Sequence, residues 1–173
     1  MFRKTVIDDS TNIIDNLNES IKDYIINIVT FDYKNIEESN KFTFDNIFQN
    51  KMLLIYMIEA GLPNRIFKQI KHYTPFSDND WANFLDLSIK TLQRHNKEDE
   101  YYFKSIHTEK ILELAEVTNL GKEVFDSTDK FYTWLNTPSY ALGNAKPNEL
   151  LKNSYGKELV MSELYKIEYG NFA

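Results

Sequence analysis

Cysteine is absent from the 173 residues. That excludes disulfides, thiolate metal ligands and a thiol nucleophile, and it suits a reducing compartment. Glycine and proline are scarce, at five and four, too few for a sandwich or barrel closed by many tight turns. Long apolar runs are missing too. The longest, Met52 to Ile58, falls far short of the roughly 20 residues that a membrane-spanning helix needs. The opening Met1-Phe2-Arg3-Lys4 turns acidic at Asp8 and Asp9 with no apolar stretch of the signal-peptide kind. A soluble, cytoplasmic chain with no membrane partner is expected.

Recognisable catalytic patterns are also lacking. The three histidines, His72, His95 and His107, sit in separate segments without a ligand-spaced neighbour. No glycine-rich phosphate loop and no HExxH occurs. Asp78, Asp80 and the run Glu98-Asp99-Glu100 read as helix caps and solvated loop charges. No metal, no cofactor and no enzymatic activity are expected.

What is present is apolar and aromatic. The hydrophobic fraction is 42%, with 12 Phe and 11 Tyr, enough for a buried core. The net charge is −6. A nucleic-acid binder is usually basic, so this balance weighs against strong DNA affinity and suits a basic partner.

The hydrophobic periodicity is helical throughout, which predicts an all-α fold. Residues 10–29 place Ile13, Ile14, Leu17, Ile21, Tyr24, Ile25 and Ile28 on one stripe, with Ser10 or Thr11 as cap. A second, central helix is predicted from Phe44 to Ala60 with Thr43 as cap, ended by Gly61 at a left-handed position and by Pro63. Short helices follow at 64–71, after Ser77 with Asp80 in an imperfect capping box, and after Ser88 to His95. A longer amphipathic helix spans Ser105 to Phe125, and an aromatic one carries Phe131, Tyr132, Trp134 and Leu135. Pro147 starts a short helix through Leu151, and the last helix runs from Ser154 to Tyr169.

Two capped helices joined by a tight turn at Asp86-Leu87 have helix-turn-helix spacing. In that motif the second helix meets base edges and phosphates. The exposed set would be Ser88, Lys90, Thr91, Gln93, Arg94 and His95, with Ile89 and Leu92 facing inward. Gln pairs with adenine and Arg with guanine. A simple pair of packed helices with a polar surface fits the same spacing. From Glu59 to Thr118 there are 8 basic and 10 acidic residues, a net of −2, so operator DNA would be held weakly or only by a dimer or complex.

The C-terminal third carries a denser pattern: Val124-Phe125-Asp126, Trp134-Leu135 with Pro138, Ala141-Leu142-Gly143, Pro147 with Leu150-Leu151, Gly156, and Leu164 with Ile167 and Gly170. These residues resemble the toxin-binding domain of the Xre/MbcA/ParS antitoxin family. Gly61-Leu62-Pro63 and Ser88-x-x-Thr91-Leu92-x-Arg94 resemble that family's Xre-like helix-turn-helix region, so the likeness covers about residues 53–173. It implies an Xre-like helix-turn-helix domain at 53–118 and a toxin-binding domain at 119–173, which leaves residues 1–52 as a helical N-terminal extension of unknown role. It further implies a type II antitoxin, working as a homodimer, that occludes a RES-domain toxin consuming NAD and represses its own operon. The scaffold of the binding domain would be Trp134, Leu135, Pro138, Leu142, Gly143, Pro147, Leu150, Leu151 and Gly156. The toxin would meet Tyr165, Glu168, Tyr169, Gly170, Asn171, Phe172 and Ala173, because aromatics near a terminus are common interface anchors. The tail Asn171-Phe172-Ala173 offers no Arg or Lys for a phosphate site, so occlusion would be steric. The alternative is a stand-alone helix-turn-helix regulator that uses the C-terminal module to dimerise.

Overall fold

A computed structural model of the chain describes residues 9–29 and 42–170. Among them the fold is all-α, as the periodicity predicts. The helices are α1 (Asp9–Val29), α2 (Lys51–Ala60), α3 (Asn64–Tyr73), α4 (Asp78–Phe84), α5 (Ile89–His95), α6 (Ser105–Phe125), α7 (Thr128–Leu135), α8 (Pro147–Leu150) and α9 (Ser154–Glu168). A minimal antiparallel pair, β1 (Leu62–Pro63) and β2 (Tyr102–Phe103), sets Leu62 opposite Phe103.

The described residues form two compact units. One holds the chain up to Tyr73 together with His95–Thr108, and the other holds Thr74–Arg94 with Glu109 onward. These units follow different lines from the sequence division after residues 52 and 118.

In the first unit α1 is part of the core rather than an appendage. Leu17, Ile21, Tyr24 and Ile25 are buried, and α1 packs against α2 and α3. Polar contacts fix its position. Asn18 Oδ1 accepts the Phe44 N–H at 2.7 Å, and the Gln69 amide donates to Ser20 Oγ at 2.9 Å. The Tyr24 hydroxyl donates to the Gly61 carbonyl at 2.6 Å, with the Met57 carbonyl, which also accepts the Gly61 N–H, as a longer second acceptor at 3.2 Å. Both caps suggested for α1, Ser10 and Thr11, lie inside the helix.

Helix α2 starts at Lys51, later than the predicted start at Phe44. The Thr43 N–H is taken by Asn46 Oδ1 at 2.8 Å, and Ile47–Gln49 form a single 3₁₀ turn. Asn50, not Thr43, caps α2, its Oδ1 accepting from the Leu53 N–H. Asparagine side chains here compete for backbone donors that a longer helix would use. The helix is also less central than its composition suggests. Leu53 and Met57 are buried, whereas Met52 and Ile55 are 52% and 43% exposed.

Gly61 ends α2 in a different conformation from the left-handed one expected, with φ 80° and ψ 143°. A Cβ there would also come within 2.6 Å of the Phe103 carbonyl oxygen. Only glycine accepts both conditions, and this lets β1 pair with β2. Thr108 Oγ1 completes the junction, accepting the Leu62 N–H and donating to the Phe103 carbonyl. Asn64, fully buried, donates its side-chain amide to the carbonyls of His95 and Glu98 and its backbone N–H to Tyr101.

In the second unit Ser77 and Asp80 form a complete capping box at α4, reciprocal where the sequence suggested an imperfect one. Trp81, Phe76 and Phe84 pack edge to face around it, with centroids 5.2–6.4 Å apart. Asp86 turns the chain with φ 51°, and Ser88 Oγ accepts the Thr91 N–H at the start of α5. Along α6, Ile111, Leu112, Leu114, Ala115, Val117 and Leu120 are buried.

Candidate functional site

The C-terminal module is built on the end of α6. Gly121 lies against the Phe131 ring, where any Cβ would overlap it. That approach seats α7, and Phe125, Phe131 and Trp134 then stack with centroids 5.6–6.1 Å apart. Phe131 and Leu135 are fully buried, while Trp134 is half-buried at the edge of the cluster. Ser127 caps α7 through the Lys130 N–H.

After α7, Pro138 is exposed and the chain makes a compact turn. Ser139 and Ala145 bridge across it, Leu142 is half-buried, and Gly143 closes it with φ 68°. Pro147 opens α8 at its first position and is buried, Leu150 is half-buried, and Leu151 is fully buried. Asn153 then caps α9 by accepting the Gly156 N–H at 2.9 Å. Gly156 is buried, and a Cβ on it would overlap the Leu150 carbonyl. The residues singled out as scaffold thus divide. Leu135, Pro147, Leu151 and Gly156 are buried, Trp134, Leu142 and Leu150 are partly buried, and Pro138 and Gly143 face solvent.

One lysine–glutamate pair joins α9 to α6, and a second pair within α6 bonds to the start of α9. Lys157 meets Glu116 at 2.5 Å, both about one-sixth exposed. Lys110 pairs with Glu113 and donates to the Leu151 carbonyl at 3.3 Å, and Ser154 Oγ donates to Glu113 Oε1 at 2.9 Å. These α6 residues were not anticipated. Their i, i+3 spacing at 110, 113 and 116 is visible in the sequence, but nothing there marks α9 as the partner.

Val160 and Leu164 anchor the inner face of α9. Its outer surface carries Tyr155, Leu159, Tyr165 and Tyr169, each 45–83% exposed. Tyr165 and Tyr169 line an open groove of about 530 Å³, together with Met161, Lys157 and Glu158 of α9 and Glu116 of α6. The Tyr165 phenol is pushed up from its usual pKa by burial first, then by the carboxylates of Glu116 and Glu168 and by Tyr169, with Lys157 opposing. It is therefore a neutral hydrogen-bonding group at physiological pH. Glu168 and Gly170 are exposed beside it. Asn171, Phe172 and Ala173, also expected to meet a partner, lie outside the described residues.

The helix-turn-helix candidates separate as well. Ser88, Lys90, Gln93 and Arg94 are exposed and Thr91 is half-buried, its hydroxyl bonded to Ser88. His95 is not presented with them. It is 8% exposed, stacked on Tyr101 at 3.8 Å, with Phe103 edge-on to its ring. Its place at the helix end turns it into the apolar interior of the first unit. Leu92 is buried as expected, but Ile89 is 40% exposed rather than inward-facing. Among the described residues no cluster of histidine and carboxylate side chains is arranged to hold a metal ion, and no helix is long and apolar enough to cross a membrane.

A helical platform with exposed tyrosines beside an open groove has the composition of a protein-docking surface. Residues 120–170 match the family model of the antitoxin Xre/MbcA/ParS C-terminal toxin-binding domain. The chain thus carries a C-terminal toxin-binding domain of the Xre/MbcA/ParS antitoxin type, which supports an antitoxin role in a toxin–antitoxin pair. A search of curated proteins returns no match.

Proposed function

We propose that this antitoxin binds and occludes a RES-domain toxin that consumes NAD, through the end of α9 and the tail that follows. The observation that carries this reading is the coincidence of the toxin-binding match with Tyr165 and Tyr169, exposed on the last helix beside an open groove. Tyrosine combines a large apolar face with a hydroxyl at low entropic cost, which suits it to interface anchoring. Occlusion is steric, since the segment from Tyr165 to Ala173 offers only Lys166 as a cation. The protein works in the cytoplasm as a homodimer and catalyses nothing itself. The test is co-expression with the product of the adjacent toxin gene. Co-purification of the two proteins and recovery of cellular NAD are expected, and failure of the pair to associate overturns the reading.

A second activity, autorepression, is favoured by the exposure of Lys90, Gln93 and Arg94 on α5, a helix without an acidic residue. The DNA-facing set is Ser88, Lys90, Thr91, Gln93 and Arg94, without His95. The acidic surroundings keep the affinity of a single chain low, so operator binding needs the dimer or the toxin complex. A stand-alone regulator would bind its operator in the absence of any toxin gene product. Gel-shift titration of operator DNA with and without toxin separates the two.

A further inference from the structure

We infer that the groove beside α9 receives the guanidinium of an arginine side chain on the toxin. This rests on the reading of residues 120–170 as the toxin-binding domain, and it names the chemistry that the groove recognises.

The charge balance of the groove carries the inference. Two lysines line it: Lys157 is committed to Glu116 at 2.5 Å, and Lys166 lies 3.6 Å from Glu163, which is just outside the lining. Glu158 lines the same groove with no hydrogen-bond or ion-pair partner among the described residues. Glu168 is exposed nearly three turns further along α9, close enough to act electrostatically on Tyr165. The charge left unneutralised is therefore negative. Glu158 shares the groove with the rings of Tyr165 and Tyr169 and the thioether of Met161.

A carboxylate next to aromatic walls suits a planar, weakly hydrated cation. A guanidinium stacks on tyrosine faces and pairs with a carboxylate through two parallel hydrogen bonds. An ammonium is more strongly hydrated and lacks the planar fork, so lysine fits less well. An anionic or purely apolar occupant would leave Glu158 facing like charge or stripped of water. A steric tail and a charge-reading groove then divide the work, one covering the toxin and the other fixing its register.

The test uses the full chain with two probes. In the first, tyrosine-selective NMR follows titration with N-acetyl-arginine amide, N-acetyl-lysine amide and N-acetyl-norleucine amide. The arginine probe is expected to shift the Tyr165 and Tyr169 signals and the norleucine probe to leave them in place. Equal responses to arginine and lysine overturn the guanidinium assignment. In the second, affinity for the co-expressed toxin is compared among wild type, Glu158→Gln, Glu158→Lys, Tyr169→Phe and Tyr169→Leu. Losses of several-fold for Glu158→Gln and tenfold or more for Glu158→Lys are expected, with Tyr169→Phe close to wild type and Tyr169→Leu clearly weaker. Unchanged affinity for Glu158→Lys overturns the arginine occupant and leaves the antitoxin reading intact. A wild-type chain that captures no toxin overturns both.

Discussion

The Tyr24 hydroxyl donates to the Gly61 carbonyl at 2.6 Å, joining residues 37 positions apart in the sequence. Tyr24 is almost fully buried, and its second acceptor is the Met57 carbonyl. Tyr24→Phe removes the donor to the Gly61 carbonyl, while the Met57 carbonyl keeps the Gly61 N–H. A loss of about 1–3 kcal/mol is expected, read as a lower urea midpoint with an unchanged helical spectrum before unfolding.

The same phenol makes stability sensitive to alkali. Burial raises its pKa above the usual 10.0, with Tyr102 adding to the shift. The folded state therefore holds its proton where the unfolded chain has lost it. The stabilisation is complete below pH 10 and declines as the pH rises above it. Urea midpoints measured from pH 8 to 11 should fall at the upper end, and less steeply in Tyr24→Phe. Parallel slopes in the two proteins would assign the decline to other groups.

Gly156 is the tightest point of the C-terminal module. Gly156→Ala forces its Cβ into the Leu150 carbonyl, and overpacking of this kind costs about 1–3 kcal/mol. The expected result is a lower melting temperature together with weaker toxin capture, whereas the exposed Tyr155→Ala leaves the melting temperature near wild type.

Glu116 and Lys157 form a pair that water reaches only partly. Removing one partner of a fully buried pair costs roughly 3–5 kcal/mol. Glu116→Gln should cost less, about 1–2 kcal/mol, because the exposed fraction screens the charge left behind. The double variant Glu116→Gln, Lys157→Met should regain part of that loss in thermal unfolding. A double variant less stable than the sum of the single changes would show that the pair is not the contact that matters.

Arg94 is exposed on α5. If it reads a base, Arg94→Ala lowers operator affinity by about 1–3 kcal/mol, while Lys90→Ala flattens the salt dependence of binding. An operator complex indifferent to both substitutions would reduce the helix pair to a packing element.

Where periodicity and capping chemistry agreed, the fold was legible in the sequence. Helix α6 matches its expected span, and Ser77, Ser88 and Pro147 mark helix starts as their side chains dictate. Local competition and distant contacts were harder to read. Asn46 and Asn50 redirect backbone donors and shorten α2, which composition alone does not reveal. His95 looks like a surface residue beside Arg94 until Tyr101 and Phe103 close over it. The binding module was legible because its prolines, glycines and aromatics fall at fixed spacings. Its groove was not, because Glu116 meets Lys157 across 41 residues.

The overlap that Gly156 avoids also limits how this region can change in length. A single residue inserted inside α9, between Gly156 and Val160, would rotate the positions beyond it by about 100° about the helix axis. Val160 and Leu164 would leave the interior, and the tyrosines would swing away from their present heading. Drift toward a new toxin can therefore proceed by exchanging side chains along the outer stripe, while the spacing from Gly156 to Leu164 fixes which face of α9 stays inside.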